Sequence, residues 1–148
     1  MHRGSGILTI DDSSSGGEMK SIDSYSTCVS VVARGGSLTV KGGTIIGDTS
    51  GIYSESYTGS INVSGGKVIA THNRGHGIDN TNSGSVNISG GEVIGVNNGI
   101  YNYGSQDLMP EVNVSGGLIS GGYRGIYYDN SKGGNVIVSG PPLSKGRM

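Results

Sequence analysis

Apolar and polar residues alternate in short bursts along this chain. Ile61 and Val63 are interleaved with Ser60, Asn62 and Ser64, a two-residue period that predicts a strand with one buried and one exposed face. The burst recurs as GSLTVKGGTIIG from Gly36, GSINVSGGKVIA from Gly59, GSVNISGGEVIG from Gly84, PEVNVSGGLISG from Pro110 and GNVIVSGPP from Gly134. With the second apolar residue of each as marker, Val40, Val63, Ile88, Val114 and Val138 follow one another at steps of 23, 25, 26 and 24 residues. A poorer copy, GILTIDD, places Ile10 30 residues before Val40, with an insertion around SSSGGEMKSIDSYS. One strand is therefore written six times, and repetition at a fixed period signals a solenoid.

Each full unit carries two further apolar clusters. The second, such as Val68–Ile69, follows a Gly pair that supplies a sharp corner. The third centres on Ile52, Ile78, Ile100 or Ile126, in GIYS, GIDN, GIYN and GIYY. Between the Gly pair and this landmark lie 7 residues in three units, and 10 in the unit that runs from Lys67 to His76. Three strands per unit of roughly 24 residues predict a coil, and stacking coils at about 4.8 Å pairs every strand with its copy above and below. Asn62, Asn87 and Asn113 then stack outward beside Thr39, next to a row of Ser64, Ser89, Ser115 and Ser139.

The expected class is all-β, a parallel β-solenoid of about six coils and roughly 25–30 Å in length. It reads as a single domain over 1–148: an irregular first coil (6–35), regular coils (36–58, 59–83, 84–109 and 110–133), a terminal strand (134–142) and a tail (143–148). Pro141 and Pro142 end the ladder, because proline cannot donate to it. Both ends expose strand edges, which favours end-to-end self-association or a fragment of a larger protein.

Composition agrees. Ile and Val number 28, against 5 Leu and 2 Ala, which suits pleated strands and excludes a helical protein. The 30 Gly come without a collagen period. Ten basic and 11 acidic residues give a net charge of −1, so nucleic acid is not an expected partner. No apolar run approaches the roughly 20 residues of a membrane span. Cys28 alone excludes an internal disulfide and reads as a small apolar residue. The opening MHRGSGILTIDD lacks the long apolar core of a signal peptide, so the chain reads as cytoplasmic or as a mature segment of something longer.

The GSxxVSGGxVIG…GIYN pattern resembles the right-handed parallel β-helix repeats of secreted and surface proteins of Gram-positive bacteria, over about residues 6–142. The opening LTIDDSSSGG is similar to their first coil. The resemblance implies a right-handed β-helix outside the cell or at its surface. It also brings in related families: calcium-dependent carbohydrate-binding β-helices and pectin-lyase-like enzymes. In the carbohydrate-binding family, the segment before the GI landmark carries paired Asp residues that bind calcium. Here that segment reads IIGDTS, IATHNRGH, VIGVNN and ISGGYR, with Asp48 its single acid. The resemblance implies calcium, but most of its acidic ligands are missing here, so no cofactor is expected.

Tyr53, Tyr101 and Tyr127 follow the landmark Ile in three units, with Asp79 in the fourth and Tyr57, Tyr103, Tyr123 and Tyr128 nearby. With Ile inward these residues point outward in a strip. Such a strip either stacks on sugar rings of a glycan partner or forms a structural ladder. THNRGHGID brings together His72, Arg74, His76 and Asp79, readable as metal ligands or as an acid–base set, or as a polar excursion in a Gly-containing loop. Asp11, Asp12, Asp23, Asp48, Asp79, Asp107 and Asp129 do not repeat in register, so no carboxylate pair is expected. The Asn-x-Ser triplets at Asn62, Asn87 and Asn113 match glycosylation acceptors but sit in strands. Thr39 has no Thr neighbours in its row, as an ice-binding face would require, and no phosphate-binding GxxxxGK[ST] occurs. The expectation is a non-catalytic surface module, spacer or adhesin-like, then a carbohydrate-binding module using the Tyr strip, then a polysaccharide lyase or hydrolase.

Overall fold

The alternating bursts become strands because their β-branched side chains fill one face while Ser, Thr and Asn occupy the other. A computed structural model describes residues 6–12, 16–21, 23–31, 35–55, 57–81, 84–104, 110–129 and 134–140. Pro141, Pro142, the tail 143–148 and Asp107 lie outside the described residues, as do most of the residues linking one unit to the next.

The first sheet holds β1 (Ile7–Ile10), β4 (Ser37–Val40), β7 (Ser60–Val63), β10 (Ser85–Ile88), β13 (Glu111–Val114) and β16 (Asn135–Val138). The second holds β2 (Glu18–Lys20), β5 (Thr44–Gly47), β8 (Lys67–Ala70), β11 (Glu92–Gly95) and β14 (Leu118–Gly121). The third holds β3 (Thr27–Val31), β6 (Ser50–Ser54), β9 (His76–Asn80), β12 (Asn98–Asn102) and β15 (Arg124–Tyr128). Neighbours within each sheet are parallel and lie one unit apart in the chain. The fold is an all-β parallel solenoid, with no helix among the described residues.

Six copies of the strand do not make six coils. Four regular turns run from Ser37 to Tyr128, an irregular turn precedes them, and β16 adds a last strand to the first sheet with no companion in the other two sheets among the described residues. The segment SSSGGEMKSIDSYS is likewise no simple insertion, because Glu18–Lys20 within it forms β2 and registers with Thr44–Ile46.

The interior is a column of aliphatic side chains. Leu38, Val40, Ile45, Ile52, Val63, Val68, Ile78, Val86, Val93, Ile100 and Val112 are all fully buried. Each such side chain contributes about 1.5–3 kcal/mol on burial. The corner after the first sheet carries the second glycine of each pair, Gly43, Gly66, Gly91 and Gly117, at φ of +75°, +74°, +75° and +80°. A side chain at these positions is strained, which is why the pair recurs. The outward row Thr9, Thr39, Asn62, Asn87, Asn113 and Ile137 is in register, so Thr39 does have a Thr neighbour, in the irregular first turn, contrary to the expectation from the regular repeats. Asn87 Nδ2 donates to Asn62 Oδ1 at 2.8 Å and Asn113 Nδ2 to Asn87 Oδ1 at 3.0 Å, an amide ladder along the outside of the first sheet. A solvent-facing pair, Lys67 Nζ to Glu92 Oε2 at 3.0 Å, adds little.

Burial fades at the ends. Ile7 is 74% exposed and Val138 75%, whereas Val63 in the same sheet is fully covered.

Candidate functional site

The third sheet carries the tyrosines. Ser30, Tyr53, Asp79, Tyr101 and Tyr127 occupy one register row across β3, β6, β9, β12 and β15. The neighbouring row is Ser50, His76, Asn98 and Arg124. The glycine between the rows breaks the alternation. A Cβ on Gly77 would lie 2.8 Å from Val93 Cγ1 in the core, so Gly77 and Ile78 both face inward. His76 and Asp79 therefore share the outer face, and the aromatic row has polar residues beside it.

The two rows interlock. The imidazole of His76 stacks on the ring of Tyr101, centroids 4.6 Å apart and planes 15° apart. Tyr101 and Tyr127 meet at 5.8 Å with a tilt of 49°. The Arg124 guanidinium carbon lies 4.2 Å from the Tyr127 ring centroid, a cation–π contact. His76 Nδ1 and Asn98 Nδ2 are 3.2 Å apart. Tyr101 donates its hydroxyl to Asp129 Oδ2 at 2.7 Å, and Tyr53 donates to Glu55 Oε1 at 2.5 Å. Burial and then the bond to Asp129 push the Tyr101 phenol well above its ordinary range. Burial also raises Tyr53, helped by Glu55.

Asp79 sits in the aromatic row between Tyr53 and Tyr101. Burial lifts its carboxyl to about 6, and its Oδ1 has no hydrogen-bond partner among the described residues. The same desolvation lowers His76. For both groups the cause is loss of water around the charged form.

Of the sequence-predicted site residues, Tyr53, Asp79, Tyr101 and Tyr127 share one row. Tyr57, Tyr103 and Tyr123 are exposed and lie outside the strands, while Tyr128 is half-buried and donates to Asn135 O at 2.8 Å. His72, Arg74, His76 and Asp79 do not form one set. His76 and Asp79 belong to β9, not to a loop, whereas His72 and Arg74 lie in the corner before it.

Sequence reasoning missed Arg124 over Tyr127, Glu55 beside Tyr53, and Asn98, which meets His76. It also missed a buried polar row: Ser54, Asn80 and Asn102 register inside the third sheet, and Asn80 Nδ2 donates to Asn102 Oδ1 at 3.0 Å. The signal lay in the fourth residue of the landmark, an Asn in both GIDN and GIYN.

Asp48 lies in the corner between the second and third sheets. Its Oδ2 accepts from Tyr25 N at 2.6 Å, and its backbone carbonyl from His72 N at 2.9 Å. Calcium, implied by resemblance, does not fit here. Asp48 is the single acid of those four segments; Asp23, in the corner of the irregular first turn, lines the same cleft, but among the described residues no three His, Cys, Asp or Glu side chains converge on one point.

No protein-family model, curated protein or solved structure matches this chain.

Proposed function

We propose that this chain is a non-catalytic β-solenoid module of a secreted or surface-exposed protein, acting as a rigid spacer with an adhesin-like role. The observation that carries this reading is the use made of the outer face of the third sheet. Its aromatic faces stack on one another and on His76 and Arg124, and the hydroxyls of Tyr53 and Tyr101 are bonded to carboxylates. A face whose groups satisfy one another stiffens a rod. The surface location rests on the resemblance of the GSxxVSGGxVIG repeat to surface β-helix repeats of Gram-positive bacteria.

A second reading, a carbohydrate-binding module with Tyr53, Tyr101 and Tyr127 as platform, draws on the partial exposure of those rings. Incubation of the intact chain with a panel of plant, host and bacterial polysaccharides tests the leading reading. The expected result is no new reducing ends and no unsaturated products. Product release would overturn it.

A further inference from the structure

Two corners of the solenoid are longer than the others, and they face each other. Nine residues separate Met19 from Val29 and Val68 from Ile78, whereas six separate Ile45 from Ile52, Val93 from Ile100 and Ile119 from Ile126. These positions are equivalent by register. The first and third turns thus carry the same three-residue insertion at the same corner, and the second turn between them does not. The two enlarged corners reach across the short one. The Tyr25 ring meets the His72 ring with centroids 4.9 Å apart and a tilt of 54°.

Asp48, in the short corner, holds both. Besides its bonds to Tyr25 N and His72 N, its Oδ1 lies 3.5 Å from Thr71 Oγ1. Asp48 N and Thr49 N both donate to Ser26 O at 3.0 Å, and His76 N donates to Thr49 O at 2.9 Å. Tyr25 is held at φ +59°, a left-handed conformation that a tyrosine rarely adopts and that is often found at ligand sites. The residue is nevertheless 76% exposed. Its chain neighbour Ser24 and its bonding partner Asp48 line a cleft of about 340 Å3 together with Lys20, Ser21, Asp23 and Thr71.

We propose that this corner is a saccharide-binding site that takes a neutral pyranose unit of a glycan. An exposed tyrosine ring offers a flat apolar face to the sugar ring. The cleft beside it is lined by hydroxyls, carboxylates and one ammonium, which match a polyol because sugar hydroxyls both donate and accept. Asp48 Oδ1 accepts one long bond, from Thr71 at 3.5 Å, and a carboxylate oxygen has a further lone pair with which to accept from a ligand hydroxyl. Two carboxylates, Asp23 and Asp48, stand against the single ammonium of Lys20 in the lining, which disfavours an acidic sugar and favours a neutral one. In repeat proteins, insertions confined to one corner commonly build the binding face. The inference deepens the adhesin-like reading and rests on its non-catalytic part, since the cleft is assigned to holding a sugar.

The test is a printed array of neutral and acidic oligosaccharides, probed with the intact chain in chelator, in parallel with Tyr25→Ala and Tyr101→Ala. The expected result is binding to neutral glycans that survives chelator and persists in Tyr101→Ala. It should fall roughly tenfold or more in Tyr25→Ala, the size of a lost ring contact. Circular dichroism must show each variant folded. If Tyr25→Ala is not, Tyr25→Asn replaces it, since Asn tolerates the left-handed backbone. A blank array from folded chain overturns the site, as does loss confined to Tyr101→Ala or binding seen only with calcium. Shortened or unsaturated oligosaccharides would instead overturn the non-catalytic reading and leave the location of binding standing.

Discussion

His76 lies flat against Tyr101, one turn away along the rod, with 4.6 Å between ring centroids. The contact exists because Gly77 points its missing side chain into the core, which leaves His76 on the same outer face as the aromatic row. His76→Ala should therefore destabilise the chain by about 1 kcal/mol, through lost stacking and the lost contact with Asn98. Chemical denaturation with an unchanged m-value checks this.

The two faces of the first sheet should respond oppositely to a charge. Val63 is fully buried in the column, and Asn62 beside it faces out. Val63→Asp places an unpaired carboxylate in the core and should abolish folding. Asn62→Asp should cost at most about 1 kcal/mol, since it keeps the oxygen that accepts from Asn87 and loses only the donation of Nδ2 to Ser60 Oγ. Far-UV circular dichroism and melting separate the two. Equal tolerance would contradict the inward and outward assignment.

A matched pair of glycines reads the stacking directly. A Cβ on Gly99 would meet Ile119 Cγ2 at 2.6 Å and Gly125 O at 2.7 Å, while one on Gly125 meets only Ile119 O at 3.5 Å. Both occupy the same repeat position, but among the described residues no strand covers β15. Gly99→Ala should cost about 3 kcal/mol or more. Gly125→Ala should stay within about 1 kcal/mol of the parent. Thermal melts of the two variants give the comparison.

Asp79 gives the rod a pH signature. Its folded carboxyl titrates near 6, above the ordinary value of 3.8, because burial disfavours the charged form. The folded state thus holds the proton more tightly, and this contribution to stability is present below pH 4 and lost as pH rises through 6. His76 is lowered by burial and acts in the opposite sense, losing stability as pH falls through the imidazole range. The difference between the parent and Asp79→Asn isolates the carboxyl. Asp79→Asn should be more stable than the parent at pH 8, by on the order of 2 kcal/mol, and the gap should close by pH 4. A gap constant with pH would contradict the shift.

The three-strand turn was legible because β-branched residues alternate cleanly around Val40, Val63, Ile88 and Val114, and because the Gly pair recurs at each corner. The inward Ile and outward Tyr of the landmark were legible for the same reason. The polar surroundings of the tyrosines were not, since two successive inward residues, Gly77 and Ile78, break the parity that a strand pattern assumes. The enlarged first corner was hidden because Cys28–Val29 stands where later units have Gly–Ile, so its three extra residues merged with the whole irregular segment. The number of turns was overstated because, among the described residues, β16 repeats the first strand without a second and third.

The central claim is that the outer tyrosine row holds the rod together and is not where a ligand sits. The most direct measurement is the unfolding free energy of Tyr101→Ala beside its glycan-array profile. Loss of the His76 and Tyr127 contacts and of the bond to Asp129 predicts about 2 kcal/mol of destabilisation with an unchanged profile. Unchanged stability with lost glycan binding would contradict the account and make the row a binding platform.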